Sequence, residues 1–232
     1  MIAARYYLHS GPYVQDQCTP SDVYDLRGFA AQLDNYLKSY YDAKYPYDPQ
    51  DIRGHFSIMP GGTTDLYGSA DAVYILWITD QLEERTTAEG RAEWIAVLQS
   101  FQDPDTGLFD REIVSGESVT HATAFATAAL RLLDAQPKYP HRWAEKLFRD
   151  RAAIDAWLDE FSWTEVWTGS HETGAMAAVI DSPTGVSISD GWEHQVLAAF
   201  TSRIDESTGF WKNGLFDAIF TSPTTVDLGG AA

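Results

Sequence analysis

Apolar positions recur every three or four residues in separate stretches of the chain: Phe29, Leu33, Leu37 and Tyr41; Trp94, Leu98 and Phe101; Ile154, Trp157, Leu158 and Phe161; Trp192, Val196 and Phe200. That spacing predicts amphipathic helices with one buried stripe and charged residues elsewhere. A second kind of segment is small and apolar nearly all round: Ala70 to Leu82, Ala122 to Leu133 and Gly174 to Ile180. These predict helices enclosed on most sides.

The two kinds alternate, and a recurring turn separates them. Asp48 to Phe56 reads DPQDIRGHF, Asp103 to Phe109 reads DPDTGLF, and Asp205 to Trp211 reads DESTGFW. Each is an acidic turn followed by Gly and then an aromatic residue. Gly54 and Gly107 lie 53 residues apart, and Gly107 and Gly209 lie 102 apart. One unit whose turn has lost its glycine therefore falls between the last two, near Phe161. The string Thr63 to Ala70 (TTDLYGSA) returns as Thr224 to Ala231 (TTVDLGGA) with one insertion, and His121 and His171 open two related starts between them.

Each unit of about fifty residues thus predicts an outer amphipathic helix, a turn and an inner buried helix. Such hairpins bury their inner faces by stacking on neighbours, as an open solenoid or a closed ring. Inner helices apolar on all sides favour the ring over a solenoid's exposed concave face. We expect an all-α fold, an incomplete (α/α) toroid, as a single domain over 1–232. The plain alternative is an irregular helical bundle with chance spacing.

The stretch Trp94-Ile-Ala-Val-Leu-Gln-Ser-Phe-Gln102, the turn to Gly107 and Phe109, and the helix from His121 to Leu133 resemble the repeat of the α/α toroids. Terpenoid cyclases and protein prenyltransferases define that superfamily. The similarity is best across Trp94 to Leu133, and it implies a fold without choosing an activity. The chain stops at Ala232, where the repeat starts another inner helix. That leaves fewer hairpins than such toroids usually have. We therefore expect a fragment of a longer protein, or a partial ring whose apolar edge meets another copy.

Composition narrows the partners. The 232 residues are 44% apolar and 13% aromatic, enough for a substantial core. Thirty-four acidic against sixteen basic residues leave a net charge of -18, a field that repels nucleic acid and anionic membranes. The single cysteine, Cys18, excludes an internal disulfide framework and a multi-cysteine zinc site. No signal peptide and no apolar run of spanning length is legible, and the compartment stays open.

In a ring of hairpins the cavity is lined from the starts of the inner helices. Candidates there are Asp65, Tyr67 and Asp71, then His121, then Glu165, Trp167, His171 and Glu172, then Asp227. Asp65 reads either as a general acid or base or as a helix cap. Its recurrence as Asp227 favours structure. Glu165 and Glu172 have no equivalent in other units, and their segment Trp163 to Glu172 replaces the usual turn with two indoles, two carboxylates and an imidazole. Such a pair can protonate a glycosidic oxygen and activate water while Trp163 or Trp167 stacks on a sugar ring. The alternative is a surface acid pair beside core tryptophans.

His121 and His171 read as substrate-binding or simply hydrogen-bonded groups; without His-x-x-x-His or Cys-x-x-Cys spacing we expect no metal and no cofactor. The Asp-x-Asp-Asp motif of class II terpenoid cyclases is absent, and Cys18 lies outside the repeats that would supply a prenyltransferase zinc site. Asp103 to Gly107 is similar to a calcium loop, but its glycine comes one place early and the twelfth-position Glu is missing. Phosphate loops and Gly-x-Ser-x-Gly elbows are absent.

The expectation is a glycoside hydrolase acting on a neutral glycan through Asp65, Glu165 and Glu172, with Tyr67, His121, Trp163, Trp167 and His171 binding a small-molecule or oligosaccharide ligand. The alternatives are a terpenoid-cyclase-like or prenyltransferase-like protein and a non-catalytic helical repeat module.

Overall fold

The computed structural model describes residues 27–109, 118–160, 191–204 and 206. Among them are seven α-helices and no strand: α1 (Arg27–Tyr40), α2 (Leu66–Ile78), α3 (Ala88–Ser100), α4 (Val119–Leu132), α5 (Arg142–Leu147), α6 (Arg151–Glu160) and α7 (Trp192–Thr201). The protein is all-α in this part, as its apolar periodicity predicts. No helix among the described residues is long and apolar enough to cross a membrane.

The chain divides into two compact units, Met1–Lys38 and Ser39–Ala232. Of the first, α1 is described as far as Lys38. Leu33 and Leu37 are its buried positions, whereas Phe29, the expected start of the same stripe, is 54% exposed.

In the second unit α2 packs most extensively on α4, and α3 lies against both. The expected division of labour between helices is visible here. Along α3 the buried positions are Gly90, Trp94 and Leu98, a single stripe of period four, whereas α2 and α4 each bury residues on several sides. On α2 these include Leu66, Ala70, Val73 and Leu76; on α4 they include Ala122, Ala126, Ala129 and Leu130.

The turns ahead of α2 and α4 share one construction. Gly54 and Gly107 have φ of +82° and +79°, a region that side chains with a Cβ resist. Phe56 and Phe109, two residues on, are both buried. Each is followed nine residues later by the N-cap of its helix, Asp65 or Ser118, whose side chain accepts a hydrogen bond from the N–H of Gly68 or His121. The ends match too. Asp80 and Asp134 take φ of 58° and 57°, and the next N–H, of Gln81 or Ala135, bonds back to Leu76 or Leu130 at 2.8 and 2.9 Å. This is the 6→1 closure of a left-handed helix stop, with a short polar side chain in the place glycine usually takes.

These stops correct the apolar pattern, which carries the first inner helix from Ala70 to Leu82. The helix instead runs Leu66–Ile78, and Leu82 is buried from the loop beyond. Hydrophobicity continues past Asp80, but the backbone reverses there. The short α5 was not legible in the pattern. The lost turn near Phe161, the inner segment Gly174 to Ile180 and, Glu206 aside, the turn Asp205 to Trp211 lie outside the described residues.

Beyond α4, Ala144, Phe148, Ile154, Leu158, Val196 and Ala199 form one apolar cluster. It joins α5, α6 and α7. Arg203 ties the last two together, donating to Asp155 at 2.9 Å and to Asp159 at 2.6 Å.

Candidate functional site

Asp65 sits in extended backbone just ahead of α2. Its Oδ1 accepts from Gly68 N at 2.7 Å, and its Oδ2 accepts from Ser57 Oγ at 3.0 Å and Ile58 N at 2.8 Å. It is the cap of α2 and also the clasp that holds the preceding turn. The approach is close enough that a Cβ on Gly68 would lie 2.2 Å from the backbone carbon of Ser57. Both carboxylate oxygens are therefore engaged in structure.

Further along, over its first three turns, α2 presents a different surface. Tyr67, Asp71 and Tyr74 follow at spacings of four and three, which stack on one face of a helix. That face meets His121 and Phe125 of α4, themselves four apart. The Tyr67 hydroxyl and His121 Nδ1 share a hydrogen bond at 3.0 Å, and their rings lie nearly parallel with centroids 5.9 Å apart. The Tyr67 and Tyr74 rings both pack on Phe125, at 5.3 and 4.8 Å between centroids. The Tyr74 hydroxyl donates to the Phe125 carbonyl at 2.7 Å.

Asp71 lies on this seam, half-buried. Among the described residues no donor or cation pairs with its carboxyl. Burial, and secondarily the negative charge of Asp65, push its pKa up to about 6. Burial and the Asp71 charge push the Tyr74 phenol up as well. The result is an acid that holds its proton toward neutrality, flanked by aromatic rings and one turn from a tyrosine–histidine pair. Such a group can donate a proton to a leaving oxygen.

A second polar cluster surrounds His55, in the turn before α2. The imidazole is 6% exposed and stacks on Tyr45 at 3.5 Å with an interplanar angle of 3°. Its Nε2 bonds Glu93 Oε1 at 2.8 Å, and its Nδ1 faces Thr64 Oγ1 at 3.5 Å. Thr64 in turn donates from both N and Oγ1 to buried Asp42 at 2.9 Å. Arg53 bridges Glu93 and Asp51. The hydrogen bond from His55, helped by Arg53, holds the Glu93 carboxyl below its ordinary range against the opposing cost of burial. This network fastens the turn to α3 and to the approach of α2, and its groups satisfy one another.

The structure brings Tyr67 and His121 together, a pairing the sequence reading did not make, and places Asp65 at the helix cap. Tyr74 and Phe125 complete the seam and were missed. Their signal was available in the spacing Tyr67, Asp71, Tyr74 and His121, Phe125, but on an inner helix it reads as ordinary core. Trp163, Glu165, Trp167, His171, Glu172 and Asp227 lie outside the described residues. Among the described residues no group of three or more His, Cys, Asp or Glu side chains is arranged to hold a metal ion. No family model, no curated protein and no solved structure matches the chain.

Proposed function

We propose that the chain is an incomplete (α/α) toroid and a carbohydrate-active enzyme, a glycoside hydrolase acting on a neutral glycan. The ring reading is supported by the matched turns, caps and left-handed stops of α2 and α4, and by α3 packing against both with a single buried stripe. The hydrolase reading is carried by Asp71. Cleavage of a glycosidic bond needs an acid that is still protonated at the working pH and a second carboxylate opposite it. A carboxyl on an aromatic seam meets the first need.

In this reading Asp71 is the general acid, and Tyr67 and His121 hold sugar hydroxyls beside it. Asp65 serves by capping α2 and by adding negative charge near Asp71. Glu165 or Glu172 supplies the second carboxylate, with Trp163, Trp167 and His171 completing the sugar wall. The net charge of -18 disfavours anionic uronates and suits an uncharged glycan. No cofactor is required by this chemistry.

The test is release of reducing ends from a panel of neutral glycans by the full chain. Asp71→Asn should lower turnover at least about 100-fold, whereas Asp65→Asn, which removes the neighbouring charge that helps raise the Asp71 pKa, should cost much less and move the alkaline limb of the activity profile to lower pH. Unchanged turnover in Asp71→Asn removes Asp71 from the role of acid. Unchanged turnover in both Glu165→Ala and Glu172→Ala removes those residues from the second role. Absence of turnover on every glycan overturns the activity itself.

A further inference from the structure

Water reaches the two enclosed helices along one side of each. Between His121 and Leu130 of α4 every residue is buried except His121, Phe125 and Ala128, and the line continues to half-exposed Leu132. On α2 the accessible positions beyond Tyr67 are Asp71, Tyr74, Ile75, Trp77 and Ile78. Spacings of four, three and four put His121, Phe125, Ala128 and Leu132 on one face of α4, and the same spacings put Tyr67, Asp71, Tyr74 and Ile78 on one face of α2. The faces adjoin and run in the same direction: Tyr67 bonds His121, whereas Tyr74, two turns on, bonds the carbonyl of Phe125, one turn on.

This line changes character along its length. At its start stand the Tyr67–His121 pair and the Asp71 carboxyl. Past Tyr74 and Phe125 it is aliphatic, through Ile75 and Ala128 to Leu132 and to Ile78, which is 73% exposed. From Asp71 to Ile78 the helix rises about 10 Å. A packing helix covers a broad stripe, whereas the accessible line on α4 is one side chain wide and suits a single hydrocarbon chain. A second apolar helix laid here would also press on the Asp71 carboxyl without offering it a donor, a costly arrangement. A molecule with hydroxyls at one end and hydrocarbon at the other satisfies both ends of the line.

We propose that the ligand of this seam is a neutral glycoside with an alkyl aglycone, its sugar at Asp71, Tyr67 and His121 and its chain running past Tyr74 and Phe125 to Ile78 and Leu132. The sugar end rests on the hydrolase reading; the chain end rests on the exposed apolar line.

Methyl resonances of the full isotope-labelled chain test it, titrated with n-octyl and methyl glycosides of glucose, galactose and mannose below the micelle-forming concentration. The Ile78 methyls, assigned by their loss in Ile78→Ser, and those of Leu132 should shift with an octyl glycoside and not with its methyl counterpart. The octyl form should bind at least about ten-fold more tightly, and Ile78→Ser, at a position exposed enough to leave folding intact, should bring that ratio toward one. Equal affinity for octyl and methyl forms overturns the proposal, and so does octan-1-ol binding as tightly as the octyl glycosides. Matching shifts at Met59 and Leu197, each 65% exposed and outside the seam, would mean non-specific adsorption and overturn it too. Shifts of Ile78 and Leu132 on dilution of the protein alone would assign the line to a second copy instead. An octyl glycoside that binds but is never cleaved supports this proposal and removes the hydrolase reading; cleavage without octyl preference does the reverse.

Discussion

The indole of Trp94 occupies the space that a side chain at Gly54 would need: a Cβ there would lie 2.1 Å from Trp94 Cδ1. The same indole donates to the Ser69 carbonyl at 3.0 Å and packs on Phe56. One side chain of α3 thereby holds both the turn and the second residue of α2 after Tyr67. Gly54→Ala imposes an unfavourable φ and a steric clash together. It should destabilise the protein by roughly 2–5 kcal/mol, read as a lowered midpoint in chemical denaturation; a shift near zero would show that the Trp94 ring is free to move aside.

Asp65 makes a separable prediction, because its oxygens cap a helix and hold a turn. Asp65→Ala should cost about 1–3 kcal/mol, since it removes the cap and leaves the Ile58 N–H without its acceptor. Asp65→Asn should cost less than this but not nothing, because its single amide oxygen can accept from Gly68 N or from Ile58 N and its NH2 then faces the other donor. Thermal melts of the two variants decide this, and equal losses would mean that the remaining amide oxygen restores neither bond.

The carboxyl of Asp71 gives stability an unusual slope with pH. Its pKa rises from an ordinary 3.8 to about 6 in the folded protein. Between those values the folded state keeps a proton that the unfolded chain has lost, so Asp71 makes stability fall as pH increases across that window. Asp71→Asn should remove this contribution and stabilise the protein at pH 7 by about 1–2 kcal/mol, allowing for the group's partial contact with water. Glu93 works in the opposite sense, its lowered pKa giving stability that is lost as pH drops. The difference between parent and Asp71→Asn unfolding curves across pH 4 to 7, a range set about these pKa values, isolates Asp71; a flat difference would contradict it.

Gln102 is almost wholly buried, and its amide serves two segments at once. Nε2 donates to the carbonyls of Gly107 and Tyr139, both at 2.8 Å, while Oε1 accepts from Tyr139 N at 2.8 Å. Gln102→Leu fills the same space but strands these backbone groups, at a cost of about 2–4 kcal/mol. Hydrogen exchange at the Tyr139 amide should accelerate in the variant before global unfolding does. Protection equal to the parent's would show that another acceptor replaces Oε1.

The legible part of this protein was its periodicity. The spacing of Trp94, Leu98 and Phe101 identified the buried stripe of α3, the small apolar runs identified α2 and α4 as enclosed helices, and the glycine-aromatic turns located Gly54 and Gly107. Each of these is a local property, since a residue's helical face and a glycine's tolerance of positive φ are set by neighbours a few positions away. The candidate site was half legible. Tyr67 and His121 were singled out from position alone, but whether an acid near them caps a helix or faces a cavity depends on what lies opposite.

That choice was made only in three dimensions. Asp65 and Asp71 are both acids near the start of the same apolar run, and although the recurrence of Asp65 as Asp227 favours structure for the first, nothing along the chain shows which of them finds donors. The hydroxyl of Ser57 and the N–H of Ile58 close over Asp65 as donors, whereas α4 sets Phe125 beside Tyr67 and Tyr74 and Asp71 lies half-buried with no partner among the described residues. Likewise Asp80 ends α2 while the apolar run continues to Leu82, because reversal depends on a backbone closure that hydrophobicity does not encode. Local chemistry determined which segments are helices and which faces are buried; long-range packing decided which charged groups are satisfied and which one is left to titrate.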